Sequence, residues 1–287
     1  MKRGILYGAM LLSLIWACTS VPLTGRRQLL LVSDSDMHGM ALTSYKQFLD
    51  TNKVVSATTT QAAMVKRVGD RIAKAAQRYF EQTGNPNYLN GYQWQTELVE
   101  SKEVNAWCMP GGKMVVYTGI LPVTQNETGL AVVMGHEVSH AIAKHGAERM
   151  SQGMVAEGLL AAGQAGLGIA MANKPGATQT LWNTVFGVAA PAAAQLGLLA
   201  HGRNQESEAD HLGLIFMSMA GYDPKEAVNF WGRMAALSKG SKTPIFLSSH
   251  PSDTQRIADI QKLMPEALKY YQTTSTTPTT TSGSKKY

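Results

Sequence analysis

The segment Gly135-His136-Glu137-Val138-Ser139-His140 sets two imidazoles four residues apart, with a carboxylate directly after the first. On a helix, His136 and His140 stand one turn apart on the same face. Two imidazoles so placed can take two corners of a tetrahedral zinc site. Glu137 would then lie at the mouth of that site. A carboxylate there accepts a proton from a metal-bound water and passes it to a leaving amine. The pattern is the H-E-x-x-H of metal-assisted hydrolysis. A surface helix could carry the same letters by coincidence, so the setting has to be read as well.

A catalytic zinc usually has three protein ligands and one open position. An H-E-x-x-H-x-x-G-x-x-H extension would need Gly at 143 and His at 146, where this chain has Ala143 and Gly146. The next candidate lies in Glu206-Ser207-Glu208-Ala209-Asp210. Glu206 and Asp210 share one helix face, so Glu206 can complete the site. Asp210 can accept a hydrogen bond from the free ring nitrogen of a zinc-bound His. Glu208 points to the other side and reads as solvated. Alone, such an acidic cluster is an ordinary exposed face; beside an H-E-x-x-H helix it reads as a ligand segment.

Positioning these groups needs particular elements. Thr124 and Glu127 form a T-x-x-E capping box, which predicts a helix from Thr124 to about Met150 carrying both histidines. Arg203 to Ala220, closed by Gly221, reads as the helix carrying Glu206. Upstream, Val21 to Val32 reads as an extended lead-in. Helices follow from Ser33 or Asp34 to Leu49 and from Gln61 to Phe80, the second with apolar residues at helical spacing. Three strand-like runs come next: Tyr92 to Val99, Val104 to Cys108 and Lys113 to Thr118, with Pro110-Gly111-Gly112 turning between the last two. Asp223-Pro224 opens a helix to Leu237. Lys239 to Ser249 reads as loop, followed by a helix from Thr254 to Met264 and another after Pro265. Helices, a small sheet, then helices predict an α+β fold in one domain. Residues 155–200, rich in Ala, Gly and Leu, read as a pair of buried helices, with a membrane-contacting hairpin as the other option.

Lys2 and Arg3 precede a short apolar run ending at Ala17-Cys18, which reads as a targeting segment too short to span a membrane comfortably. A small residue before Cys at that place resembles a bacterial lipoprotein cleavage site, so Cys18 is expected to be lipidated and to tether the chain to a membrane. An uncleaved anchor, or an ordinary signal peptide, is the other reading. Ser20, in place of the Asp that usually signals inner-membrane retention, points to the outer membrane. The expected organisation is a signal peptide over 1–17, a catalytic domain over 18–272 and a disordered Thr/Ser-rich tail over 273–287. The net charge of +6 falls to +4 without Lys2 and Arg3. No dense basic stripe interleaved with aromatics is present, so nucleic-acid binding has no support. With Cys18 lipidated, Cys108 has no disulfide partner; it reads as a buried free thiol, the alternative being a redox-sensitive contact with the metal.

Taken together, these residues resemble the M48 family of zinc metallopeptidases, in its exported-lipoprotein and mitochondrial quality-control branch. The resemblance is carried by Val21-Pro22-Leu23-Thr24-Gly25-Arg26-Arg27, by Asn105-Ala106-Trp107 with Pro110-Gly111-Gly112, and by His136 to His140 extended through His145-Gly146-Ala147-Glu148-Arg149. Glu206 to Asp210 and His250-Pro251 with Arg256-Ile257 complete it. It implies a zincin-like (gluzincin) fold, mostly helical with a small sheet next to the zinc helix. It also implies one Zn2+ per chain on His136, His140 and Glu206. Asn105 and Ala106 would lie on an edge strand where an extended substrate pairs as an added strand; an ordinary edge strand is the alternative. His250 would lie near the metal, either donating to the oxyanion or taking the fourth zinc position. Arg256 would orient the acidic ligands or cap its own helix. His38, His145, His201 and His211 read as structural or solvated.

The expected function is a zinc-dependent endopeptidase acting on unfolded or misfolded envelope proteins, facing the periplasm. Two other classes remain: a zinc-bound chaperone or assembly lipoprotein with latent peptidase activity, and a non-catalytic surface lipoprotein with a fortuitous motif.

Overall fold

The structure is a computed structural model that describes residues 18–22, 24–165, 202–238, 244–250 and 254–276. The targeting segment, His201 and most of 155–200 lie outside the described residues. Cys18–Ser20 (β1) and Arg27–Leu29 (β2) pair antiparallel, so the lead-in is a small hairpin rather than a plain extended strand. Its turn is closed by Val21 N–H to Arg26 O at 2.9 Å and Gly25 N–H to Val21 O at 2.8 Å.

Asp34–Thr51 (α1) begins at Ser33, whose side chain accepts from Asp36 N as an N-cap should. Thr60–Gln82 (α2) is capped in the same way by Thr59 and buries a stripe of Val65, Val68, Ile72, Ala76 and Tyr79. The sheet comprises Gln95–Val99 (β3), Ala106–Met109 (β4) and Lys113–Tyr117 (β5), in the order β3-β5-β4. β3 runs parallel and β4 antiparallel to β5, which leaves β4 at one edge. The β4–β5 turn needs Gly111 and Gly112, whose φ angles of 80° and 84° disfavour any side chain.

A short helix, Leu121–Thr124 (α3), precedes Glu127–Ile142 (α4), the helix of the H-E-x-x-H segment. The predicted start at Thr124 is corrected here. Asn126 is the N-cap, accepting from Gly129 N at 3.0 Å, while the Thr124 hydroxyl donates back to Leu121 O. Gln125, at φ 66°, turns the chain between the two helices. The predicted run to Met150 is broken as well. Lys144 adopts φ 58°, and a new helix, His145–Ala165 (α5), starts at a different angle.

Every residue of α4 from Gly129 to Ile142 is buried. It is flanked by α2, β4 and, most extensively, Arg203–Met219 (α6). At the α4–α6 crossing, Gly135 and Gly213 face each other. A Cβ on Gly135 would stand 2.9 Å from Gly213 O, and one on Gly213 would stand 3.0 Å from His136 N. The two backbones meet this closely because neither residue has a side chain.

Glu226–Ser238 (α7) follows Asp223, which caps Lys225 N. Where a loop was expected, Ile245–Ser249 (α8) forms a helical turn with Phe246 and Leu247 buried. Thr254–Thr276 (α9) is one helix, not two. Pro265 lies inside it, costing one backbone donor without ending the helix. α9 packs along α6, which supports it through that defect. It also extends past the expected start of the tail at 273, while 277–287 lie outside the described residues. The architecture is α+β and mostly helical, with its small sheet against the zinc-motif helix. Among the described residues, no helix is long and apolar enough to cross a membrane.

Candidate metal centre

Four buried side chains from three elements converge. His136 Nε2 and His140 Nε2, on α4, stand 3.0 Å apart. Glu206, in the first turn of α6, brings Oε1 to 3.3 Å from His140 Nε2 and Oε2 to 3.5 Å from His136 Nε2. His250, at the end of α8, places Nδ1 3.1 Å from His136 Nε2 and 3.0 Å from Glu206 Oε1. Among the described residues this is the group able to hold a metal ion.

The donor chemistry fits zinc. Three imidazole nitrogens and one carboxylate are a zinc set, and donors at about 2.0–2.1 Å from a tetrahedral ion stand about 3.3 Å apart. Imidazole nitrogens facing one point with their lone pairs cannot satisfy one another, whereas a divalent cation satisfies them all.

Residues 59–264 match the profile of peptidase family M48. The chain belongs to peptidase family M48. It is similar to the mitochondrial metalloendopeptidase OMA1 of Schizosaccharomyces pombe, at 31% identity over 86% of this chain and 66% of the relative. The mitochondrial metalloendopeptidase OMA1 of Saccharomyces cerevisiae is 30% identical over 72% of this chain and 57% of its own length. The beta-barrel assembly-enhancing protease of Escherichia coli is 29% identical over 56% of this chain and 32% of its own. The chain thus spans less than two thirds of each of these relatives. Zinc is the metal of M48 peptidases, in agreement with the donor set.

Around the four donors, the M48 chain supplies a charged frame. His136 Nδ1 lies 3.0 Å from Asp210 Oδ1, so its proton faces Asp210 and its Nε2 lone pair faces the cluster. Arg256, on α9, donates Nε to Asp210 Oδ2 at 2.8 Å, Nη2 to Asp210 Oδ1 at 2.7 Å and Nη1 to Glu206 Oε2 at 2.9 Å. Its guanidinium stacks 3.4 Å from the Trp231 ring centroid. Arg256 thus contacts both acids, Asp210 and Glu206, from a third element.

Burial opposes charge on Glu206, but His250, His136 and His140 outweigh it and hold the carboxylate well below its usual range. Burial also opposes charge on His136; the Asp210 and Glu206 carboxylates prevail and raise it to about 9 without metal, so an ion binding at Nε2 would displace a proton there. Burial and then the His136 charge keep His140 well below its ordinary value, hence neutral and ready to ligate.

Glu137 is buried beside the cluster. Its Oε1 has no hydrogen-bond partner, although His250 Nε2 is 3.3 Å away. A buried carboxylate oxygen left unbonded is costly, and one beside a metal cluster is poised to take up a proton. Burial pushes Glu137 above the usual carboxylate range, in the direction a general base needs.

Asn105 and Ala106 lie at the start of the β4 edge. Asn105 Oδ1 accepts from Ala106 N, and Asn105 O accepts from Tyr117 N. Phe246 N, on the helix that ends in His250, donates to Val104 O at 3.2 Å, tying that edge to the cluster. Cys108 is a buried free thiol outside the metal group, pushed well above its ordinary pKa by burial and then by Glu137.

Two expectations need correction. His145 was read as structural or solvated with no link to the metal group, yet its Nδ1 stands 2.7 Å from His140 Nδ1 and its ring is fully buried. Glu208 was read as solvated, yet it is buried and lies 2.8 Å from His145 Nε2. The first follows from the unbroken helix assumed through Lys144, and the second from the lead-in, whose Thr24 and Arg26 cover Glu208. Lys144 is neither Gly nor Pro, so the sequence carries no signal for the break that swings His145 back. His38 packs edge-to-face on Tyr92, and His211 pairs with Glu266, as structural residues.

Proposed function

We propose that this chain is a zinc-dependent endopeptidase in which His136, His140 and Glu206 hold the metal and Glu137 is the general base. The convergence of α4 and α6 carries the reading, because it puts two imidazoles, a charged carboxylate and an unbonded second carboxylate around one point. Zinc bound there would activate a water and polarise the scissile carbonyl. Glu137 takes the water's proton and returns it to the leaving amine. Asp210 fixes the tautomer of His136, and Arg256 keeps Asp210 and Glu206 aimed. The β4 edge at Asn105 and Ala106 is where an extended substrate would pair, taking the place of the Asn105 side chain at Ala106 N, an arrangement suited to unfolded or misfolded polypeptides.

The lead-in, with Cys18 as its lipidated first residue, supports an outer-membrane lipoprotein of the bacterial envelope facing the periplasm. The relative named a beta-barrel assembly-enhancing protease is consistent with quality control there. On this reading, residues 18–272 form the peptidase domain.

The test is casein digestion with and without chelator. Wild type cleaves, and chelator stops it. Glu137→Gln retains one zinc per chain and loses activity by about 10²–10⁴-fold. A Glu137→Gln variant that cleaves at the wild-type rate removes Glu137 from the mechanism.

His250 favours a second reading. Its Nδ1 stands among the donor atoms, and a zinc with four protein ligands is closed. The resting protein would then be a latent peptidase, acting as a chaperone or assembly factor until His250 leaves. On that reading His250→Ala digests casein faster than wild type. If His250 instead donates to the oxyanion, the same variant is slower.

A further inference from the structure

We propose that His145 is a positioning residue for the zinc ligand His140, held in turn by Glu208 and by the lead-in hairpin. The inference rests on His140 being a metal ligand.

His145 Nε2 stands 2.8 Å from Glu208 Oε2. Glu208 already accepts from Arg26 Nε at 2.7 Å and from the Thr24 hydroxyl, so it meets His145 as an acceptor. The proton between His145 and Glu208 therefore sits on His145 Nε2. With Nε2 turned to that acceptor, His145 sets its other ring nitrogen, Nδ1, as the acceptor 2.7 Å from His140 Nδ1. That lone pair selects the His140 tautomer with Nδ1 protonated, which leaves Nε2 free to face His136 Nε2, Glu206 and the metal. Each zinc-binding histidine of α4 thus has its own orienting acceptor: Asp210 for His136 and His145 for His140.

Glu208 is itself fixed by residues far away in sequence. Arg26 donates Nε to Glu208 Oε2 at 2.7 Å and Nη1 to Glu148 Oε1 at 2.9 Å, and the Thr24 hydroxyl donates to Glu208 Oε1. Leu31 N–H donates to the Ser151 hydroxyl at 2.8 Å, seating the end of the lead-in on α5. The relay from Thr24 and Arg26 through Glu208 and His145 to His140 consists wholly of hydrogen-bonded contacts. It makes the lead-in part of the support of the metal centre.

The test measures zinc affinity of the purified full-length chain by competition with a chromophoric chelator, alongside circular dichroism of each metal-free variant. His145→Leu keeps wild-type helicity and binds zinc about 10–100-fold more weakly, the usual effect of losing such a partner. His145→Asn puts a carbonyl oxygen near the place of Nδ1 and recovers most of that affinity. Arg26→Ala weakens binding in the same direction and by less. Wild-type affinity in His145→Leu overturns the inference. Equal losses in the Leu and Asn variants also overturn it, because the role would then be packing rather than hydrogen bonding. A wild-type chain that binds no zinc overturns the underlying ligand assignment instead.

Discussion

Glu206 has two duties that a single substitution exposes. One oxygen faces His140 and His250, and the other accepts from Arg256 Nη1. Glu206→Ala should therefore lose zinc, with elemental analysis giving well under one ion per chain. It should also cost on the order of 3 kcal/mol of stability in urea unfolding, because part of a buried guanidinium loses its counter-charge. Unchanged zinc content would mean a different third ligand. The residues with chemistry in their letters were readable in advance: two histidines at helical spacing, the carboxylate between them, and an acidic pair one turn apart. His145 and Glu208 were not, because one depends on a helix break at Lys144 that no residue type announces and the other on a lead-in distant in sequence.

At the scale of elements, the crossing of α4 and α6 decides whether the ligands meet. Replacing a helical Gly by Ala ordinarily stabilises by about 1 kcal/mol. At Gly135 the added methyl carbon would sit 2.9 Å from the Gly213 carbonyl oxygen, and backbone cannot swing aside as a side chain does. Gly135→Ala should thus be destabilising, by about 1–3 kcal/mol, and should weaken zinc binding as His136 moves off Glu206 and Asp210. Urea unfolding of the metal-free protein and a zinc titration check the two effects separately. A more stable variant would show that the helices tolerate separation. Most elements follow from periodicity and caps, such as the Ser33 cap of α1 and the stripe of α2. The start of α4 was misread because Asn126 outcompetes Thr124 as cap once Gln125 turns the chain. The continuity of α9 through Pro265 was misread because packing along α6 offsets the lost donor.

For the whole molecule, a metal held by His136, His140 and Glu206 would be a cross-link between α4 and α6, with His250 at the end of α8 beside it. A ligand bound to the folded state alone stabilises it by about 4 kcal/mol at a thousandfold excess over its dissociation constant. Adding chelator to the zinc-loaded chain should lower the melting temperature by roughly 5–15 °C. An unchanged melting temperature would mean that the ion, if bound, does not tie the helices together. The described residues share one main core, built around α4.

His136 and His250 are 114 positions apart, and Arg256 lies later still. A chain leaving the ribosome carries its H-E-x-x-H segment long before Glu206 exists, and α4, buried all round in the finished fold, lacks its most extensive neighbour until α6 arrives. The proposed metal centre is therefore completed late in the order of manufacture. An unfinished copy that stops short of α6 lacks the Glu206 carboxylate that would close it.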